Sequence, residues 1–340
     1  MKKTIIRIIA FLTILSVVLI YCNNVLKLKE QRGIYSMTKM YEQKKNTVDV
    51  LVVGSSHAFT NFDTGLLWDE YGISSFVLAG GIQPFWNTYH FLKEALKTQH
   101  PKLIILEGYM AIHYWDYSDS TYIALNNYGL RLSPNKIESL LVSVPKESRR
   151  DYIPDFVYYH SRYKNLTAAD FLKDLGDPFF ADWKGYELRT ETTPTTTTDI
   201  SNVTEIGHMS EKSERYYIKI LELAQQNDIP IEVVIAPYAE IYDGEQVVFN
   251  RAQQIADDKG VPFTNCNLLL DDIGINYSTD ALDEGHLNYK GAKKFTRFIG
   301  DNIVRKYNIT DHHGDPYYQS WERQAAMDRK LIFEIQKGKE

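Results

Sequence analysis

Val48 to Val53 (VDVLVV) is an apolar run, broken only by Asp49, that ends on Gly54. A short run without strict alternation, closed by glycine, suits a strand buried on both faces, and such strands belong to parallel sheets covered by helices. The chain repeats the pattern. Ser74 to Leu78, Lys102 to Leu106, Ile231 to Ala236 and Val261 to Thr264 read as further strands. Pro84 to Lys97, Glu211 to Gln226, Glu245 to Asp258 and Asn288 to Lys306 read as helices, the first with Phe85, Tyr89, Leu92 and Leu96 on one face. The alternation predicts an α/β fold, a flavodoxin-like doubly wound parallel five-stranded sheet. In such sheets ligands bind beyond the C-terminal ends of the strands, so chemistry is expected in residues that directly follow a strand.

Tyr109 to Ser210 interrupts the alternation and is too long for a plain connection. It is rich in Tyr and Trp and reads as a cap-like insertion, with Thr190 to Thr198 (TETTPTTTT) as a surface loop. At the other end, Lys2, Lys3 and Arg7 precede an apolar run from Ile8 to Cys22 with no small-residue cleavage site after it. That pattern predicts an uncleaved signal-anchor over residues 1–24, single-pass in the cell membrane, with the positive charges cytoplasmic and the remainder extracytoplasmic. Residues 25–46 are polar and read as a stalk, 47–310 as the globular domain, and 311–340 as a tail carrying a helix from Gln319 to Lys337. A net charge of −6 gives no basic footprint for nucleic acid. Cys22 and Cys266, one of them at the end of the anchor, leave no disulfide framework.

Two constellations carry chemistry. Gly54-Ser55-Ser56-His57 follows the first strand, where glycine permits a sharp turn and a helix start would aim backbone N–H groups at a developing oxyanion. Asp283-Glu284-Gly285-His286 lies just before the last helix. A serine hydroxyl needs a base to take its proton, and that base needs an orienting hydrogen bond on its other ring nitrogen. An Asp three residues before a His supplies such a partner locally.

These residues resemble the SGNH (GDSL-like) hydrolase family, whose first block is a strand followed by G-D-S or a variant and whose last block is D-x-x-H with a glycine soon after. Gly54-Ser55-Ser56 and Asp283 to His286 with Gly291 match these blocks. The resemblance implies Ser56 as nucleophile, His286 as base and Asp283 as its orienting partner, with Gly80 or Gly81 after the second strand as an oxyanion donor and no cofactor. The third block reads Glu107-Gly108-Tyr109-Met110 and lacks the Asn that usually completes the oxyanion hole; losing one donor costs about 10²–10³ in rate. Ser55 in place of Asp resembles the membrane-anchored DltD-like and polysaccharide O-acetylation branch. That likeness implies an O-acyltransferase, with acetyl as the expected acyl group, acting on a cell-envelope polysaccharide or related envelope polymer and partnered with a membrane-bound O-acyltransferase. A carbohydrate or acyl esterase using the same residues, and a non-catalytic polymer-binding scaffold on the same fold, are the other readings.

Blander roles compete for each residue. Ser56 read alone suits a helix N-cap. His57 is expected to point away from the base. Glu107 ends a strand and suits acid–base work or a lysine partner equally. Asp311, His312, His313 and Asp315 sit together in the tail but read as solvated, with no metal expected.

Overall fold

The computed structural model describes residues 2–27, 32–153, 155–171 and 183–337. Strands β1 (Val50–Gly54), β2 (Ser75–Ala79), β3 (Leu103–Glu107), β4 (Ile231–Ile235) and β5 (Phe263–Asn265) form an all-parallel sheet in the order β2-β1-β3-β4-β5. This is the flavodoxin-like order, whose switch point lies between β1 and β3. Every residue of β1, β2 and β3 is buried, which is why their sequences show no polar alternation.

The N-terminal segment, the layers on the sheet and the tail are built from helices α1 (Lys2–Leu26), α2 (Ile34–Glu42), α3 (Ser56–Asn61), α4 (Thr64–Tyr71), α5 (Phe85–Ala95), α6 (Glu211–Gln226), α7 (Asp243–Asp258), α8 (Tyr289–Tyr307) and α9 (Gln319–Lys337). Successive strand residues face opposite layers. Leu51, Val53, Ile104 and Val233 pack with α5, α6 and α7. Val50, Val52, Ile105 and Val234 pack with α3 and α8. The expected strands and helices are therefore present, with their ends shifted by two residues or fewer at most boundaries.

Two expectations are corrected. Residues 34–42 are no stalk: they form α2, whose Ile34, Tyr35, Met37 and Met40 are buried and whose Ser36 Oγ donates to Ala79 O at 2.8 Å. The charged residues of α2 lie on its outer side, so its polarity hides an amphipathic helix. The tail is no separate piece either. Trp321 of α9 is buried, and its indole N–H donates to Ser75 O at 2.8 Å.

The insertion builds its own core of Ile123, Leu125, Tyr128, Leu140, Tyr152 and Tyr159. Its return leg covers the open edge of β2, where Val77 N donates to Lys184 O at 2.7 Å; an uncovered edge strand is a liability. Gly185 makes this approach possible. Its φ is +86°, and a Cβ there would stand 1.8 Å from Val77 O. Residues 28–31 of the expected stalk, 154 and 172–182 of the insertion, and 338–340 of the tail lie outside the described residues. Helix α1 spans 25 residues, about 37 Å at 1.5 Å per residue, and is long and apolar enough to cross a membrane.

Candidate active site

The first link is at the end of β1. Ser55 is extended (φ −111°, ψ −151°) and occupies the N-cap position, so Ser56 is the first residue of α3 rather than its cap. Gly54 owes its place to close packing and not to a positive φ: a Cβ there would lie 2.8 Å from Glu107 Cβ and 3.2 Å from Ala58 Cβ. A larger residue would push β1 and β3 apart under the serine turn.

The second link is the loop before α8. Ala281 and Leu287 pair as an antiparallel bridge, and Leu282 N donates to His286 O at 2.9 Å. This closes a tight turn with Asp283 and His286 on one side. His286 Nδ1 lies 2.9 Å from Asp283 Oδ1, which also accepts from Gly285 N at 2.9 Å. His286 Nε2 lies 2.9 Å from Ser56 Oγ. Ser56, His286 and Asp283 thus form one hydrogen-bonded chain in the order that base-assisted serine chemistry needs. Burial raises the Asp283 carboxyl, but the hydrogen bond and charge of His286 together with backbone N–H donors outweigh it and hold the group below its ordinary range. Its side chain is 53% exposed, so this end of the chain is open to water.

Gly80 and Gly81 stand beside the serine because Ala79 pairs in register with Gly54. A Cβ on Gly80 would lie 2.1 Å from Asn126 Oδ1. Asn126, from the insertion, donates to Gly81 O at 3.0 Å and so fixes the loop. Ile82 follows with φ +42°, a conformation costly for a β-branched residue.

The flank where the third block lacks its Asn is filled by rings. His57 is turned toward His286, contrary to expectation. It stacks on Tyr109 with centroids 3.7 Å apart, meets Tyr238 edge-on at 5.1 Å, and lies 4.9 Å from the His286 ring. Burial, with His286 nearby as a smaller cause, holds His57 well below the usual imidazole range, so it is neutral at pH 7. Glu107 lies beneath, fully buried, its Oε1 accepting from Tyr109 N at 3.1 Å. Burial pushes its carboxyl up to about 8 against the pull of the Tyr109 and Ala236 N–H groups. It is mostly protonated at pH 7 and has no lysine partner in an ion pair among the described residues.

Of the tail histidines His313 is exposed as expected, and His312 is corrected. His312 is packed, stacking on Tyr318 at 3.7 Å and reaching Asp49 Oδ2 at 2.8 Å, while His313 pairs with Asp311. No group of three or more potential metal ligands occurs among the described residues.

Sequence reasoning missed His57, Tyr109 and Asn126 as parts of the site, and also Asn61, whose Oδ1 accepts from Leu287 N beside His286. Tyr109 carried a signal, since it follows β3 at the sheet's C-terminal end; Asn126 carried none. No protein-family model matches the sequence, and no curated protein matches it.

Proposed function

We propose that this chain is a membrane-anchored, extracytoplasmic serine O-acyltransferase that works through an acyl-Ser56 intermediate on an SGNH-type fold. The observation that carries the reading is the hydrogen-bonded chain from Ser56 Oγ through His286 to Asp283. Ser56 Oγ attacks the acyl carbonyl while its proton passes to His286 Nε2, and Asp283 stabilises the imidazolium. The oxyanion is met by the Ser56 N–H and by N–H groups of the Gly80-Gly81 loop. His286 returns the proton to the leaving group. It then takes one from an acceptor hydroxyl, whose oxygen bonds to the acyl carbon; the Ser56 Oγ–acyl bond breaks, His286 returns the proton to Ser56 Oγ, and the acceptor leaves as the ester. The acceptor is a cell-envelope polysaccharide or related polymer, the acyl group is acetyl, and a membrane-bound O-acyltransferase delivers it. The apolar α1 supports the anchored setting.

Hydrolysis by the same residues is the second reading. The exposure of Asp283 favours it, since water reaches that end of the chain freely. Full-length protein in detergent is assayed on an aryl acetate, alone and with an oligosaccharide acceptor, beside Ser56→Ala. Loss of turnover in Ser56→Ala supports the serine assignment, and equal turnover by both proteins sinks it. Ester formation on the acceptor that outruns acetate release supports transfer; release unaffected by acceptor supports the esterase.

A further inference from the structure

The C-terminal end of α1 is packed into the core of the insertion. Val25 and Leu26 of α1 are buried, Cys22 and Asn23 are partly covered, and the rest of the helix is exposed. Leu26 packs with Ile34, Ile123, Leu125 and Tyr159 in the core of the insertion. The apolar run ends at Cys22 and is followed by Asn23 and Asn24. Leu26 therefore stands only about 6 Å beyond the end of the apolar stretch at 1.5 Å per residue, at the level of the headgroups, which add about 5–8 Å on each side of a hydrocarbon core.

Three short insertion helices touch the end of α1: Asp155–Tyr159, His160–Asn165 and Ala168–Phe171. The Arg162 guanidinium donates to Leu26 O, one of the carbonyls a helix end leaves free, and to Asp170 Oδ1 at 2.8 Å. The same helices expose Phe156 (38%), Tyr163 (64%) and Phe171 (53%), with Lys164 beside Tyr163. Exposed aromatic rings mixed with basic side chains are what the membrane–water interface favours.

We infer that the 155–171 face is a lipid-docking surface that rests on the headgroup layer and holds the C-terminal end of the sheet at a fixed short height above the bilayer. The inference rests on the reading that α1 spans a membrane. The coupling to the site is direct. A Cβ on Gly80 would lie 3.1 Å from Gly33 Cα, and Ser36 bonds to Ala79. Gly33 follows Leu26 by seven residues, a reach of no more than about 25 Å fully extended. Ser56 is thereby confined to within roughly 35 Å of the headgroups, adding two strand spacings to that reach. The substrates this geometry suits are presented at the membrane surface, either lipid-linked or as the membrane-proximal part of a polymer.

The test uses full-length protein in lipid nanodiscs. A Cys22→Ser background leaves only Cys266, which is completely buried. A bimane probe is placed by Leu15→Cys in α1, by Tyr163→Cys in the docking face, or by Asp258→Cys near the N-terminal end of β5. Quenching by headgroup nitroxide lipids is expected to be several-fold stronger at position 163 than at 258. Quenching at position 15 by lipids labelled in mid-chain is expected as well. Equal headgroup quenching at 163 and 258, with position 15 quenched in the chain region, overturns the docking surface but leaves the anchor intact. Absence of mid-chain quenching at position 15 overturns the anchor, and the docking surface with it.

Discussion

Asn61 Oδ1 accepts the backbone N–H of Leu287 at 3.2 Å, joining the last residue of α3 to the residue after His286. The element that carries Ser56 and the loop that carries His286 are thus tied by one buried hydrogen bond, and Thr60 Oγ1 donates to the same oxygen at 3.0 Å. Asn61→Leu leaves a buried N–H unpaired, which costs about 1–3 kcal/mol. The expected result is a lowered melting temperature and a lower kcat with KM little changed. Asn61→Asp keeps the acceptor and is expected to restore most of kcat. Unchanged kcat in Asn61→Leu would show that the loop holds its register without this bond.

Asp283 orients His286 from a half-exposed position. Where the equivalent carboxylate is buried, its replacement by amide costs about 10⁴ in kcat. Here water can solvate the imidazolium and supply part of the lost hydrogen bond. Asp283→Asn is therefore expected to lower aryl-acetate turnover by about 10²–10³, less than a buried partner would cost, while Ser56→Ala and His286→Ala leave no serine-dependent turnover. Steady-state kinetics on the three variants check the ranking. A loss in Asp283→Asn as deep as in His286→Ala would mean that solvent does not reach the imidazole.

The sheet was legible because buried parallel strands write themselves as unbroken apolar runs, and VLVVG, SFVLA and LIILE all sit on fully buried strands. Ser56, His286 and Asp283 were legible because each follows or precedes an element by a fixed local spacing. What local pattern cannot encode is who fills the space between them. His57 turns inward because Tyr109 offers a flat partner from a different strand end. Asn126 reaches Gly81 only because the insertion folds back over β2. Helix α2 reads as a stalk in the sequence because a nine-residue amphipathic helix rich in polar residues shows its apolar side only once the sheet is there to receive it.

Gly80 and Asn126 form a testable pair. In Gly80→Ala the new methyl would stand 2.1 Å from Asn126 Oδ1. The amide must swing away and give up its bond to Gly81 O. If that loop supplies oxyanion donors, kcat falls, with about 10²–10³ as the ceiling for one lost donor. Asn126→Ala loses the same bond by another route, so the double variant is expected to be no slower than the worse single one. A double-mutant cycle on kcat measures this; strictly additive losses would mean that the two residues act independently.

Asp63 and Asp328 are both buried, and a Cβ on Gly65 would touch both carboxylates, at 3.3 and 2.9 Å. Burial first, and the charge of Asp63 second, push Asp328 up to about 9, and Asp63 is raised as well, chiefly by burial. Unfolded, an aspartate titrates near 3.9. Between roughly pH 4 and 9 the folded state therefore holds a proton that the unfolded state gives up, and stability falls as pH rises through this window. Asp328→Asn removes the titration and keeps a hydrogen-bond donor beside Asp63. The variant is expected to gain on the order of 1–3 kcal/mol over the parent at pH 8 and much less at pH 5. Thermal melts at the two pH values decide it: a gain that is the same at both, or larger at pH 5, would mean that the pair is already relieved of its shared proton in the folded protein.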